Sequence, residues 1–165
     1  MTYKQYIIIP KKPKMSSGKI ASQAVHASFM AIESQQNNNK NAKKIIQQWK
    51  NEGQTVIVLE CKDQLQLLSA AKYLEQWDIS HHLYIDEGHT EVDALVPTAL
   101  ASGILPESLF WLFSQYNLYG SKKSKNYFSW LLPFKNGTIL KASQLNWLTI
   151  GLISVILYLF INIIF

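Results

Sequence analysis

Residues 55–61 read TVIVLEC. Four of the seven are β-branched, and only Glu60 is charged. A near-continuous apolar run of this kind lacks the alternation of a half-exposed strand and predicts a strand covered on both faces. Working outward, Ala42–Asn51 predicts a helix with Ile45, Ile46 and Trp49 on its buried side, closed by Gly53. On the other side Asp63 caps a helix through about Gln76, with Leu67, Leu68, Ala71 and Leu74 inward. Further out lie an apolar strand from Tyr3 to Ile9 and a helix from Ser17 to about Ser34, with Ser16 or Ser17 as its cap. The segment QQNNNKN at 35–41 reads as a polar connector. His82–Ile85, ending at Asp86, and Leu95–Ala101 are predicted strands, Pro106 opens a further helix, and Tyr116–Tyr119 suits a short edge strand. Strands alternating with helices predict an α/β layer architecture with a mixed sheet. The globular unit is expected to span residues 1–120.

A segment rich in lysine and aromatics, 121–146, follows as a linker. Residues 147–165, WLTIGLISVILYLFINIIF, carry no charge. Their nineteen positions at ~1.5 Å rise cover about 28 Å, which matches a bilayer core and predicts a transmembrane helix. Lys122, Lys123, Lys125, Lys135 and Lys141 all precede that span, so the positive-inside tendency predicts a cytoplasmic domain anchored to a membrane by a C-terminal single-pass helix. The opening MTYKQYIIIPKKPK lacks the apolar length of a secretory signal.

The net charge of +5 hides a strong asymmetry. Residues 1–50 carry nine lysines and one acid, residues 51–100 two lysines and nine acids, and no arginine occurs anywhere. Lys4, Lys11, Lys12, Lys14 and Lys19 lie close together and point to an anionic partner, nucleic acid first, held by backbone phosphates rather than by base edges. A solubilising surface is the plainer alternative. The single cysteine, Cys61, excludes an internal disulfide framework and reads as a small hydrophobe within its strand. His81 and His82 are adjacent and face opposite sides of a strand, so no compact metal site is predicted, and nothing calls for a cofactor.

Two polar clusters stand out. In Met15–Ser28, MSSGKIASQAVHAS, the residues Lys19, Gln23 and His26 fall on one stripe of the predicted helix, and Ala21, Ala24, Ala27 and Ala31 allow that helix to lie close to a sheet. A strand, a Gly18 turn and a helix N-terminus with a lysine in its first turn suit an anion, although a solvated stripe on an ordinary βα unit fits equally. In Ile85–Thr98, IDEGHTEVDALVPT, polar side chains gather where a strand exits, the usual place for functional loops in open α/β sheets.

Together these clusters resemble the archaeal and eukaryotic-type peptidyl-tRNA hydrolases. The resemblance rests on Gly18-Lys19-Ile20-Ala21 with Gln23 and His26, on Trp49, Gly53 and the 55–59 strand, and on Asp86-Glu87-Gly88-His89-Thr90-Glu91 with Thr98 following. It covers about residues 3–120. It implies a three-layer mixed sheet of four to five strands with helices on both faces, and a fold that is often a homodimer. It also implies hydrolysis of the ester joining peptide to tRNA, with Lys19, Asp86 and Thr90 catalytic. Gln23, His26, His89, Thr98 and the lysines Lys11, Lys12 and Lys14 would then bind substrate.

Some positions depart from the family pattern. Glu87 stands where alanine is frequent, and His89 where a basic residue is frequent. A glycine is missing from Val92–Pro97, and Ala101–Pro106 replaces a glycine-rich segment. The departures keep open a catalytically silent, membrane-tethered RNA-binding or adaptor protein of the same fold, and a hydrolase acting on another ester or amide.

Overall fold

The computed structural model describes residues 2–88 and 91–121. The chain divides into two units, 1–127 and 128–165, and every described residue belongs to the first. Its elements run β1 (Tyr3–Pro10), α1 (Ser17–Asn38), α2 (Ala42–Asn51), β2 (Val56–Cys61), α3 (Gln64–Gln76), β3 (His81–Asp86), β4 (Val96–Ser102), β5 (Leu105–Pro106), a 3-10 helix (Glu107–Phe113) and β6 (Asn117–Leu118). The strand order is β3-β4-β1-β2-β6, with β5 paired to the start of β1. Among the described residues only β1 and β2 pair in parallel, from Gln5↔Val56 to Pro10↔Cys61; the other pairings are antiparallel.

Alternation along β1 sorts the core into two layers. Tyr6 and Ile8 join Leu59, Leu67, Leu74, Leu100 and Phe113 beneath α3 and the 3-10 helix. Ile7 and Ile9 join Ala27, Ala31, Ala99 and Ala101 beneath α1. Alanine meeting alanine brings the α1 backbone close to the sheet, as the small residues of that helix predict. Each buried Ile or Leu in these layers contributes about 2 kcal/mol of hydrophobic stabilisation. Helix α2 closes a third cluster, in which Ala42, Ile46 and Trp49 meet Ile104. Its end is fixed by hydrogen bonds from Gly53 N–H to Lys50 O (3.3 Å) and from Gln54 N–H to Trp49 O (3.0 Å), a Schellman closure.

Several expectations are corrected. Among the described residues the sheet has six strands rather than four or five: the short strand expected at Tyr116–Tyr119 is β6, and the unexpected two-residue β5 pairs with the start of β1. The strand covered on both faces is β1, buried from Gln5 to Pro10, whereas Val56 at the start of β2 is 42% exposed. Along β2 only Leu59 and Cys61 are fully buried, so its cover is incomplete. Pro106 precedes a 3-10 helix rather than an α-helix. The 35–41 connector begins later than read, because α1 continues to Asn38. Gln35 explains the extension: it is buried, its side-chain oxygen accepts Ile104 N–H at 2.8 Å, and its amide donates to Ile104 O at 2.9 Å.

The predicted linker beyond Ser121 and the predicted membrane span at 147–165 lie outside the described residues. Among the described residues no helix is long and apolar enough to cross a membrane.

Candidate active site

Strand pairing fixes where the site forms. β1 and β2 are parallel, and β4 runs antiparallel to both β1 and β3. The C-terminal ends of β1, β2 and β3 therefore share one edge of the sheet. Residues 11–16, 62–63, 87–88 and 91–95 and the N-terminus of α1 gather there.

Helix α1 starts at that edge under a defined cap. Ser16 is extended (φ −65°, ψ 160°), and its hydroxyl oxygen accepts the Lys19 N–H at 3.2 Å. Gly18 is helical rather than a turn glycine; a Cβ there would come no nearer than 3.9 Å to Ser16 Oγ, so the fold does not require glycine. From the first turn the Lys19 ammonium donates to Asp86 Oδ2 at the end of β3. The two side chains are only 11% and 5% exposed. Asp86 Oδ1 accepts the Gly88 N–H at 2.8 Å. Burial acts to raise the Asp86 pKa; the hydrogen bonds from Lys19 and Gly88, the Lys19 charge and a hydrogen bond from Gln23 outweigh it. The net effect holds its carboxyl below the usual carboxylate range.

Two further pairs repeat the α1-to-sheet arrangement. Gln23 and Thr98 are buried, and the Thr98 hydroxyl donates to Gln23 Oε1. His26 is exposed and stacks on Tyr84 of β3, with ring centroids 4.9 Å apart and planes 8° apart. The predicted stripe Lys19, Gln23, His26 thus meets Asp86, Thr98 and Tyr84 in turn.

His89 and Thr90 lie outside the described residues. The chain on either side of them is tightly held. Gly88 takes φ +83°, and a Cβ on it would lie 2.5 Å from the Ala94 backbone nitrogen. Leu95 N–H donates to Asp86 O at 2.8 Å. Glu91 reaches across to α1: it accepts the Ser16 N–H at 2.7 Å and also the Ser16 hydroxyl. Those two bonds lead the causes that lower its pKa. An internal carboxylate therefore occupies the helix terminus that the sequence offered to an external anion, for the same reason, since unpaired N–H groups and the helix dipole favour negative charge.

The lysines separate by environment. Lys11 pairs with Glu60 at 2.6 Å. Lys12 lines an open cavity of about 350 Å³ with Asp63, Glu91 and Asp93, and Lys14 is exposed. Sequence reasoning placed Glu91 in the cluster after Asp86 but missed its bridge to Ser16; the cap position was visible, but its partner 75 residues away was not. Cys61 is buried, and burial with the Asp63 charge pushes its thiol up to about 11, which suits a core residue. Among the described residues no group of three or more His, Cys, Asp or Glu is arranged to hold a metal ion.

Fold and site together define a layered α/β protein with a lysine–carboxylate centre at its strand ends. Residues 3–114 match the family model described as Peptidyl-tRNA hydrolase PTH2, and the chain belongs to that family. It is similar to the peptidyl-tRNA hydrolase of Methanopyrus kandleri, 35% identical over 105 residues, covering 64% of this chain and 85% of the relative. It is 31% identical over 107 residues to that of Saccharolobus solfataricus, covering 64% of this chain and 89% of the relative. A probable peptidyl-tRNA hydrolase 2 of Dictyostelium discoideum is 32% identical over 104 residues, which span 63% of this chain and about half (48%) of that longer relative.

Proposed function

We propose that the Lys19–Asp86 centre performs the hydrolysis for which this family is named: cleavage of the ester between a peptide and the terminal ribose of a tRNA, freeing the tRNA for reuse. The observation that carries the reading is the buried ion pair joining α1 to the end of β3. Water adds to the acyl carbon, the ester C–O bond breaks, and the ribose oxygen leaves with a proton. Lys19 supplies positive charge for the oxyanion that forms in between. Asp86, with its pKa held down, is a weak proton acceptor. Its part is to aim Lys19 and to hold the water through its remaining lone pairs. Thr90 supplies a hydroxyl to the substrate. Thr98 acts through Gln23, to which its hydroxyl is already committed. His26 and His89 contact the substrate, and Lys12 and Lys14, with a smaller part for Lys11, hold phosphates.

The test is discharge of an N-acetyl-aminoacyl-tRNA. Lys19→Ala should abolish turnover while the circular dichroism spectrum stays that of the folded protein. A fully active Lys19→Ala protein sinks the reading.

The membrane anchor at 147–165 belongs to the same proposal, supported by nineteen uncharged residues behind a run of lysines. Co-flotation of the full chain with lipid vesicles, resistant to high salt and to alkaline carbonate, is the expected result; release by carbonate removes the anchor. A homodimer is the corresponding proposal for assembly. Exposed Val25 and Phe29 on α1 offer it an apolar face, and sedimentation of the full chain in detergent decides it.

A further inference from the structure

Glu91 stands outside the chemistry above, yet it bridges the two halves of the site. One carboxylate oxygen accepts the Ser16 backbone N–H at 2.7 Å and the other accepts the Ser16 hydroxyl. A serine hydroxyl has one proton to give. Giving it to Glu91 turns the oxygen's lone pairs toward the Lys19 N–H, which it accepts at 3.2 Å. Glu91 thereby sets the rotor of the cap, and the cap sets the helical turn from which Lys19 reaches Asp86. On its other side, Glu91 and Gly88 flank the two residues that include Thr90, and Gly88 is itself tied to Asp86. One carboxylate thus ties the backbone that bears Lys19 to the chain at Glu91.

We propose that Glu91 is a positioning residue for hydrolysis: its two-point grip on Ser16 fixes the cap from which the first turn of α1 presents Lys19 to Asp86. The proposal rests on the reading of Lys19 and Asp86 as the catalytic pair. It differs from a plain stabilising brace, which would alter melting temperature and leave turnover per folded molecule intact. It also differs from an electrostatic effect on tRNA, which would alter affinity alone.

Steady-state kinetics of the full chain with an N-acetyl-aminoacyl-tRNA separate these cases. Glu91→Ala should lower kcat by about tenfold or more, the scale expected of a small misplacement, with KM changed by less than about twofold. Glu91→Gln keeps an oxygen for the Ser16 N–H and should recover roughly a third or more of the wild-type kcat. Ser16→Ala combined with Glu91→Ala should be no worse than the worse single variant. Wild-type kcat in Glu91→Ala, a change confined to KM, failure of Glu91→Gln to recover turnover, or fully additive losses would each overturn the proposal. Should Glu91→Ala fail to fold, Ser16→Ala decides: lowered kcat at constant KM supports the bridge and unchanged kcat removes it. Lys19→Ala keeps the two readings apart. An active Lys19→Ala protein removes the catalytic pair itself, whereas an inactive one beside a wild-type Glu91→Ala removes only the positioning role.

Discussion

At the scale of single residues, the Lys19–Asp86 pair couples the site to stability. The Asp86 carboxyl lies below its unfolded value of about 3.9, so the folded state favours the ionised form. Its contribution is fully present above that value and is lost as pH falls through the lower, folded value. Asp86→Asn should therefore lower the melting temperature at neutral pH, and the gap to wild type should close on acidification. A gap that stays constant from pH 7 down to pH 2 would contradict the ionic role. Gly88 is demanding in another way. Its φ of +83° costs an L side chain about 1–2 kcal/mol, and its Cβ would meet the Ala94 backbone at 2.5 Å. Gly88→Ala should lower both stability and kcat. Adding Ala94→Gly should not restore them, because the collision is with backbone nitrogen; full rescue by that second change refutes the clash.

At the scale of elements, both ends of α1 are anchored by partners far along the chain. The site end is held by Glu91 through Ser16, and the far end by Gln35 on Ile104. Gln35→Leu would strand a buried N–H and a buried C=O, at a cost of about 3 kcal/mol. Lys19 is sixteen residues away, ~24 Å along the helix, so turnover per folded molecule should stay at the wild-type level. Active-site titration alongside thermal melting checks this. A large loss of kcat in the folded Gln35→Leu protein would mean that the far end of α1 controls the site. Gln5 does similar work in the middle of the element: wholly buried, it donates to Ser28 O (3.2 Å) and Ser102 O (3.0 Å), tying α1 to β1 and β4.

At the scale of the whole molecule, the charge asymmetry of the sequence is partly cancelled in space. The acidic middle third returns Glu60, Asp63, Glu91 and Asp93 to the edge where the basic loop lies, and Glu60 already engages Lys11. Binding of tRNA should weaken steeply with salt. Lys12→Ala and Lys14→Ala should each reduce the slope of log affinity against log salt by about one, and Lys11→Ala by clearly less. A salt titration of tRNA binding decides the order. An equal reduction by Lys11→Ala would mean that the Glu60 pair opens on binding.

The main elements and half of the site were legible in the chain. Periodicity placed three helices and the larger strands, because β1 and α1 bury regular faces. The stripe Lys19, Gln23, His26 and the cluster after Asp86 were visible as local groupings. What escaped were facts of register and of partners. The doubly covered strand proved to be β1 rather than β2, since cover depends on which strand is central. The polar run at 35–41 looked like a connector because glutamine next to asparagine repels a core reading, yet Gln35 is buried to pair with Ile104. Glu91 was visible only as the last position of the Asp86–Glu91 cluster, with nothing local to name Ser16 as its partner. By itself, then, the sequence determined the α/β layering, the lysine at the head of α1 and the carboxylate at the end of β3, because these follow from local patterns of burial and capping. Only the tertiary structure decided that this lysine and this carboxylate, 67 residues apart, close into a buried pair, and that Glu91 fills the helix terminus beside them. Which polar groups satisfy one another away from water is settled by packing, which no local pattern encodes.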